Sequence, residues 1–594
     1  MKPRIRLVGW SLIALLCCLF WAGLCPGAYE VAPSVAPEML EHTRHFEKKI
    51  YKIGENVYSA VGYSLANAVM VVGKDGVILV DVTTTKEDGT EAWAALRQYT
   101  DKPVKAVVYT HFHPDHWGGV RAFVDEEDVQ AGKVEIIAHD TMLNNVIRQG
   151  GIVGPILSMR TAYSFGAALP PEDLKGTHDG IGPKVQLGLC TFIAPTKTFH
   201  DELDITVAGV KMHMAWMPSE APDEIVVYLP ESRILLSAEV IQGPTLPNIH
   251  TLRGTKFRDP VQWYRSIDRL RAFEAEHMVP SHGQPVYGKE KVEEVLRMTR
   301  DGIQFVHDQT IRQMNKGLTP DEIAEAVAFP PYLAEYKPYL REYYGTVKHS
   351  SRQVYGGYLG WFAGDPVDLD PTPPVEKAKR SVALMGGRDK VLEAAKKAFA
   401  KGDNQWAAEL CTLIIRINKE DQQARAIKAA AFRKMGYASI NSNWRNWYLM
   451  AAMELEGKIE PVSMLKTMSR NWVTPDIMAQ WPATRLIQGM TVRLKAEDTV
   501  DSHLIAGFRF PDTGEACGLE IRRSVAQFHD DLPEKTDFTL TIPKRYFLAV
   551  SFGKATLEEG MAKGIVKLEG KPEQVARFFA SFDSPVYPIQ MTLR

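Results

Sequence analysis

The stretch from Thr110 to Gly119, THFHPDHWGG, constrains this chain more than any other. It packs His111, His113, Asp115 and His116 into six positions directly after the apolar run VKAVVY. In an extended chain, residues two apart point the same way, so His111 and His113 can grip one ion from a strand end. Pro114 then turns the chain, which lets Asp115 and His116 face a second ion. Trp117, Gly118 and Gly119 allow the backbone to fold tightly into the next helix. A lone histidine in a core is ordinarily a satisfied core residue, but four ligand-type side chains at this spacing after a buried strand point to a metal centre.

The surroundings of this motif predict an α/β domain. VYSAVGYSLANAVMVVGKDGVILVDV reads as strand, turn, strand, with KDG as the turn and Asp81 ending an apolar strand. A helical stretch, EDGTEAWAALRQYT, separates it from the strand that delivers the motif, and strands alternate with helices to about residue 300. Residues 300–362 read as helical and rich in aromatics. GDPVDLDPTPPVEKAK reads as a linker, and residues 377–457 show helical periodicity. Short alternating strands, such as TVRLKAE and FTLTIP, and amphipathic segments are expected from about residue 462 onward. A chain of 594 residues is too long for one core. Three domains are expected, at 29–365, 366–461 and 462–594, and only the first carries dense ligand chemistry.

A formal charge of −2 gives no basic excess that would point to nucleic acid. Lys2, Arg4 and Arg6 precede an apolar run from Leu7 to Leu24, with the small residues Gly27 and Ala28 after it. Residues 1–28 therefore read as a signal peptide, which implies a periplasmic or secreted protein with no stable membrane insertion once the signal is removed; the alternative is an uncleaved anchor, which exports the body of the protein equally. Beyond that segment only Cys190, Cys411 and Cys517 remain, too few and too scattered for a disulfide framework.

His-x-His-x-Asp-His after a strand resembles the metallo-β-lactamase superfamily and so implies an αββα sandwich. In that family a residue placed like Asp81 orients a ligand histidine, and His282 in VPSHGQP resembles the last ligand histidine. His200 and His213 are available as the histidine usual between them, but neither sits in the expected small-residue loop. A closer resemblance rests on SEAPDE (219–224), LPESRILLSAEV, NIHTLRGTKFRD, GYSLANAVMVV, YSFGAALP and VYGGYLGWF. These look like the linear alkylsulfatase family, and the likeness covers nearly all of the chain after the signal. It includes a helical region similar to a dimerisation domain and an α+β C-terminal domain similar to sterol carrier proteins.

The resemblance implies two zinc ions, one on His111, His113 and Glu220, the other on Asp115, His116 and His282, with Glu239 bridging. Glu224 is the rival to Glu220. Two Zn²⁺, three carboxylates and a hydroxide sum to zero charge, so an anionic ester needs another holder. Arg253 is similar to the family's sulfate-contacting arginine, Tyr355 resembles a tyrosine that helps it, and Asn248 stands beside them. Pro247 departs from the histidine that members commonly carry before the asparagine. His307 and His349 read as structural, with His349 a candidate for the pocket wall. GGIVGPILSMRTAYSFGAALPP either lines an alkyl pocket or packs as a lid.

The activity implied is hydrolysis of linear alkyl sulfates to alcohol and inorganic sulfate by a homodimer. Whether water attacks sulfur or carbon stays open. A lactamase, lactonase or phosphodiesterase of the same fold is the first alternative, and Glu220, Glu239 and LRG argue against it. A non-catalytic lipid or surfactant carrier is the second, and intact ligands at all seven positions argue against that.

Overall fold

The computed structural model describes Tyr29, residues 31–584 and residues 586–593; the expected signal, residues 1–28, lies outside them. Seven strands form the first sheet in chain order: β1 (Lys49–Ile53), β2 (Val57–Val61), β3 (Ala68–Val72), β4 (Val77–Val80), β5 (Val104–Val108), β6 (Glu135–His139) and β7 (Lys197–Phe199). The first four are antiparallel and the rest run parallel from β4 onward. The KDG turn joins β3 to β4, with Gly73 N–H donating to Gly76 O at 2.8 Å.

The second sheet holds β8 (Glu202–Val207), β9 (Val210–Trp216), β10 (Ile225–Leu229), β11 (Ile234–Ala238), β12 (His277–Pro280) and β13 (Val286–Tyr287). Strands β4 and β11 are buried along their whole length, as continuous apolar runs between two layers require. Val71, Ile78, Val108 and Ile137 of one sheet pack on Met214, Val227, Leu236 and Val279 of the other. Helices cover both outer faces, including Lys86–Leu96, capped by Thr85 on the first, and Pro260–Arg271 and Lys289–Met314 on the second. This is the expected αββα sandwich.

Helices Pro374–Leu384, Arg388–Ala400, Asn404–Ile417, Gln422–Ala438 and Ser442–Leu455 form the helical domain. The region beyond it departs from expectation. Residues 461–488 are helical, as Pro461–Trp472, Pro475–Ala479 and Ala483–Gln488, and strands start only at His503. TVRLKAE alternates in period two, yet Thr491–Arg493 is a 3-10 turn, and Leu494 makes one isolated bridge to Phe582. Val492 is exposed to solvent and the bridge at Leu494 is isolated, so the alternation joins no ladder. The five-stranded C-terminal sheet then runs β14 (His503–Phe510), β15 (Glu515–Arg522), β16 (Val525–His529), β17 (Phe538–Thr541) and β18 (Lys567–Gly570), in the order β16-β15-β14-β17-β18. One apolar cluster runs from Trp117 and Phe192 of the sandwich through Ile477 and Trp481 to Phe508 of this sheet.

Two buried features tie distant parts of the chain together. Glu454, on the last long helix of the helical domain, accepts the backbone N–H groups of Met591 (3.0 Å), Thr592 (3.0 Å) and Leu593 (2.9 Å), and the hydroxyl of Tyr163. Within the first domain His42 stacks on Tyr343, with ring centroids 3.7 Å apart. Gly180 N–H donates to His178 Nδ1 at 2.8 Å, so His178 Nε2–H donates to His42 Nδ1 (3.0 Å) and His42 Nε2–H to Pro244 O (2.7 Å). The chain of donors needs both rings neutral. Burial, then the neighbouring His45, holds His42 down to about 3, and burial holds His178 well below the usual value.

Stability should therefore be complete above the ordinary histidine value of 6.5, where folded and unfolded rings are both neutral. As pH falls below it, the unfolded chain takes up protons that the folded one refuses. Each such ring then removes up to about 1.4 kcal/mol per pH unit, until pH approaches 3. Melting scans from pH 8 to 4 check this, and His42→Phe should flatten the acid slope.

Among the described residues no helix is long and apolar enough to cross a membrane.

Candidate active site

The motif hangs from the end of β5, and the fold explains its glycines. A Cβ on Gly118 would lie 2.0 Å from Thr84 O, and one on Gly119 would lie 2.2 Å from Thr83 Oγ1, so the chain comes closer here than any side chain permits. Two strand ends beside it are held in the left-handed region by non-glycine residues, Asp81 (φ 58°) after β4 and Ala238 (φ 51°) at the end of β11. Such conformations cost about 1–3 kcal/mol each and persist where the surroundings enforce them. Here they aim Asp81 and Glu239 inward.

Asp81 is hydrogen-bonded to His116 of the motif. Its carboxylate accepts Thr110 N–H (2.9 Å), Thr110 Oγ1–H (3.0 Å), Ser281 Oγ–H (3.1 Å) and His116 Nδ1–H (2.7 Å). His116 is thereby fixed with its Nε2 lone pair turned into the site. His282 is fixed in the same sense, because its Nδ1–H donates to Leu65 O at 2.8 Å. Asn67 holds the loop around His282 through Pro280 O (3.0 Å) and Gly283 O (2.8 Å).

The ligand-type atoms form two groups that share Glu239. The first is His111, His113, Glu220 and Glu239, the second Asp115, His116, Glu239 and His282. In the first, His113 Nδ1 lies 2.9 Å from His111 Nε2 and 2.9 Å from Glu220 Oε2, and His111 Nε2 lies 3.6 Å from Glu239 Oε1. In the second, Glu239 Oε1 lies 2.9 Å from His116 Nε2 and 3.0 Å from His282 Nε2, and Asp115 Oδ2 lies 3.4 Å from His116 Nε2. A tetrahedral ion with bonds of about 2.1 Å separates its ligands by about 3.4 Å. The donor sets fit two such ions. His111 Nε2, His113 Nδ1 and Glu220 Oε2 converge in a buried space with few donors among them, an arrangement that a shared proton or a cation would hold together.

Glu224 is turned away from this cluster. It accepts Ser219 Oγ–H (2.6 Å) and the N–H groups of Ala221 (3.3 Å) and Glu239 (2.6 Å), so it braces the turn that presents Glu220. Burial, with Glu239 and Glu220 nearby, pushes its carboxyl well above the usual range. Of the other histidines, His213 pairs with Asp204, while His200 forms a separate exposed group with Asp140 and the buried His139.

Arg253 lines a cavity over the two groups, together with His113, Asp115, Glu220, Glu239 and Tyr344. Its Nε is buried and unpartnered, and Arg160 holds its carbonyl at 2.7 Å. Tyr355 stands elsewhere: it is buried in the apolar cluster behind the second sheet, on the helix Val347–Leu359 with Val354. The phenol that faces the cavity is Tyr344, from the turn before that helix. Burial raises its pKa, so it stays a donor. Asn248 lies on the loop below, its backbone gripped at both ends by Gln242 (2.7 Å) and Arg258 (2.6 Å), and its Nδ2 is buried without a partner.

Sequence reasoning missed Tyr344, Gln242 and Arg258. Gln242 Nε2–H donates to Glu239 Oε2 at 2.6 Å, and Arg258 pairs with Glu220 Oε1, so each steadies a ligand carboxylate. Arg258 shares the segment TLRGTKFRD with Arg253, and a second arginine there was the available signal.

The rest of the cavity is apolar. Leu65, Phe112 and Trp117 come from the sandwich, Leu157 and Phe165 from the helix Gly154–Phe165, and Met468, Val473, Ile477 and Trp481 from the segment after the helical domain. The stretch GGIVGPILSMRTAYSFGAALPP thus supplies one wall and the remote segment another.

Comparison with known proteins agrees with this architecture. The metallo-β-lactamase superfamily matches residues 61–282, the alkyl sulfatase dimerisation domain 319–458 and the alkyl sulfatase C-terminal domain 471–588. A linear primary-alkylsulfatase from Pseudomonas sp. (strain ATCC 19151) is 56% identical over 528 residues, covering 88% of this chain and 100% of its own length. A second linear primary-alkylsulfatase, from Pseudomonas sp., is 34% identical over 90% of this chain and 80% of its own length. The solved structure of the stereoselective inverting sec-alkylsulfatase Pisa1 from Pseudomonas sp. superposes with a TM-score of 0.86 at 30% identity, covering 95% of this chain and 90% of that one.

Proposed function

Because this chain belongs to the linear alkylsulfatase family of the metallo-β-lactamase superfamily, we propose that it hydrolyses linear alkyl sulfates to alcohol and inorganic sulfate at a site holding two zinc ions. One observation carries this reading: a single cavity joins two ligand groups, the guanidinium of Arg253 and a long apolar wall. A sulfate head and a hydrocarbon tail need those three things together.

His111, His113 and Glu220 would hold one ion, Asp115, His116 and His282 the other, with Glu239 between them. Such a pair supplies, when bound, a water acidified enough to act as nucleophile near neutral pH. The protein's own groups do the rest. Asp81 and Leu65 O keep His116 and His282 in the tautomers that present Nε2. Arg253 takes the sulfate oxygens, Tyr344 O–H donates to the ester, and the apolar wall aligns the chain and excludes competing water. Arg258 and Gln242 prevent Glu220 and Glu239 from turning toward the substrate.

Release of sulfate from dodecyl sulfate by the purified protein, measured before and after a chelator, tests the reading. Turnover should vanish on chelation and return with Zn²⁺. Turnover of lactams, lactones or phosphodiesters with none of dodecyl sulfate would replace it with another hydrolase of this fold. We propose further that the chain is exported, supported by the composition of residues 1–28, and that it pairs through the helical domain. N-terminal sequencing of the mature protein and sedimentation check these two points.

A further inference from the structure

Segment 248–258 holds an unusual set of buried polar atoms without protein partners: Asn248 Nδ2, His250 Nδ1, Thr251 Oγ1, Arg253 Nε and Arg258 Nε. Most of these are donors, and Arg253 lines the cavity. A buried donor left unpaired is costly, and Arg253, which lines the cavity, is placed to receive an anion there, with Asn248 on the same segment. For Asn248 this requires the amide to face outward with its nitrogen and not its oxygen, since Oδ1 would repel the same anion. What fixes the amide is a histidine and a tryptophan.

Asn248 Oδ1 lies 3.2 Å from His349 Nε2, and Trp444 Nε1–H points at His349 Nδ1 at 3.2 Å. An indole N–H only donates, so its hydrogen bond favours the tautomer with Nδ1 unprotonated. His349 then carries its proton on Nε2, donates it to Asn248 Oδ1 and leaves Nδ2 free. A competing donor sits on the other side: Thr346 N–H also lies 3.2 Å from Nε2 and favours the opposite tautomer. In that state Asn248 would turn Nδ2 toward Nε2 and expose Oδ1. Burial holds His349 down to about 3, so the ring stays neutral and must choose between the two states.

We propose that Trp444, on the helix Ser442–Leu455, sets the tautomer of His349 and through it the orientation of Asn248, making both positioning residues for the sulfate group. Trp444 lies within the region matched by the alkyl sulfatase dimerisation domain, so a residue outside the sandwich controls the anion pocket. The proposal rests on the reading of that pocket as a sulfate site.

The test is the dissociation constant of inorganic sulfate, measured calorimetrically on the metal-loaded enzyme, which needs no turnover. Trp444→Phe removes the donor and keeps the ring, and should raise the constant about tenfold. In an Asn248→Ala background the same change should have no further effect, because there is no amide left to orient. His349→Gln donates from its amide whatever Trp444 does, so it should keep the constant within about twofold and abolish the sensitivity to Trp444→Phe. His349→Leu should lose about tenfold, which tests the relay even where Trp444→Phe folds poorly.

Sulfate affinity unchanged by both Trp444→Phe and His349→Leu, or a tenfold loss that persists in the Asn248→Ala background, overturns the relay. No sulfate binding by the parent enzyme overturns the sulfate reading and the relay together.

Discussion

Glu239→Gln is expected to remove metal and activity in one step. Elemental analysis should fall from near two ions per chain to below one, and sulfate release should fall at least about 100-fold, the scale set by outer partners alone in metal sites. The reason lies in where Oε1 sits, 2.9 Å from His116, 3.0 Å from His282 and 3.6 Å from His111. Among the described residues it is the carboxylate common to both groups. Gln keeps the shape and the contact with Gln242 but withdraws the shared negative charge, so both ions lose a ligand together. Retention of two ions with full turnover in this variant would mean that Glu239 does not bridge.

Arg253→Ala should cost about 100- to 1000-fold in kcat/KM for dodecyl sulfate. Lys should restore little, since an ammonium offers a point charge where a planar fork meets two oxygens. Arg258 is no substitute, being committed to Glu220 and the Asn248 carbonyl. Metal content should stay near that of the parent, which separates this loss from that of Glu239→Gln. If Arg253→Lys matches the parent, bidentate sulfate recognition is the wrong description of this residue.

The motif residues were legible because their geometry is local. His111 and His113 lie in the bend just past the end of β5 and share one group, and the turn at Pro114 sends Asp115 and His116 to the other. Glu220 and Glu224 lie in one hexapeptide, and spacing alone favours neither; the choice is made by Ser219 Oγ, Ala221 N and Glu239 N, which capture Glu224. Tyr344 was hidden for a related reason. Tyr344 precedes the helix Val347–Leu359 and Tyr355 lies within it, and only the packing of that helix against the second sheet decides which phenol meets the cavity. Contacts such as Trp444 to His349 span 95 residues and leave no mark in local pattern. The strand expected at TVRLKAE failed because alternation describes two faces, not a partner.

The cavity wall from Met468 to Trp481 has a consequence for the order in which the chain becomes competent. Every residue of the two ligand-type groups is encoded between His111 and His282, whereas this wall comes almost two hundred residues later. A growing or refolding chain can therefore complete its ion cage while Phe112, Trp117 and Leu157 still face solvent. During that interval the molecule is a sticky intermediate that hydrophobic holdases should recognise, and it matures only when the late helices descend.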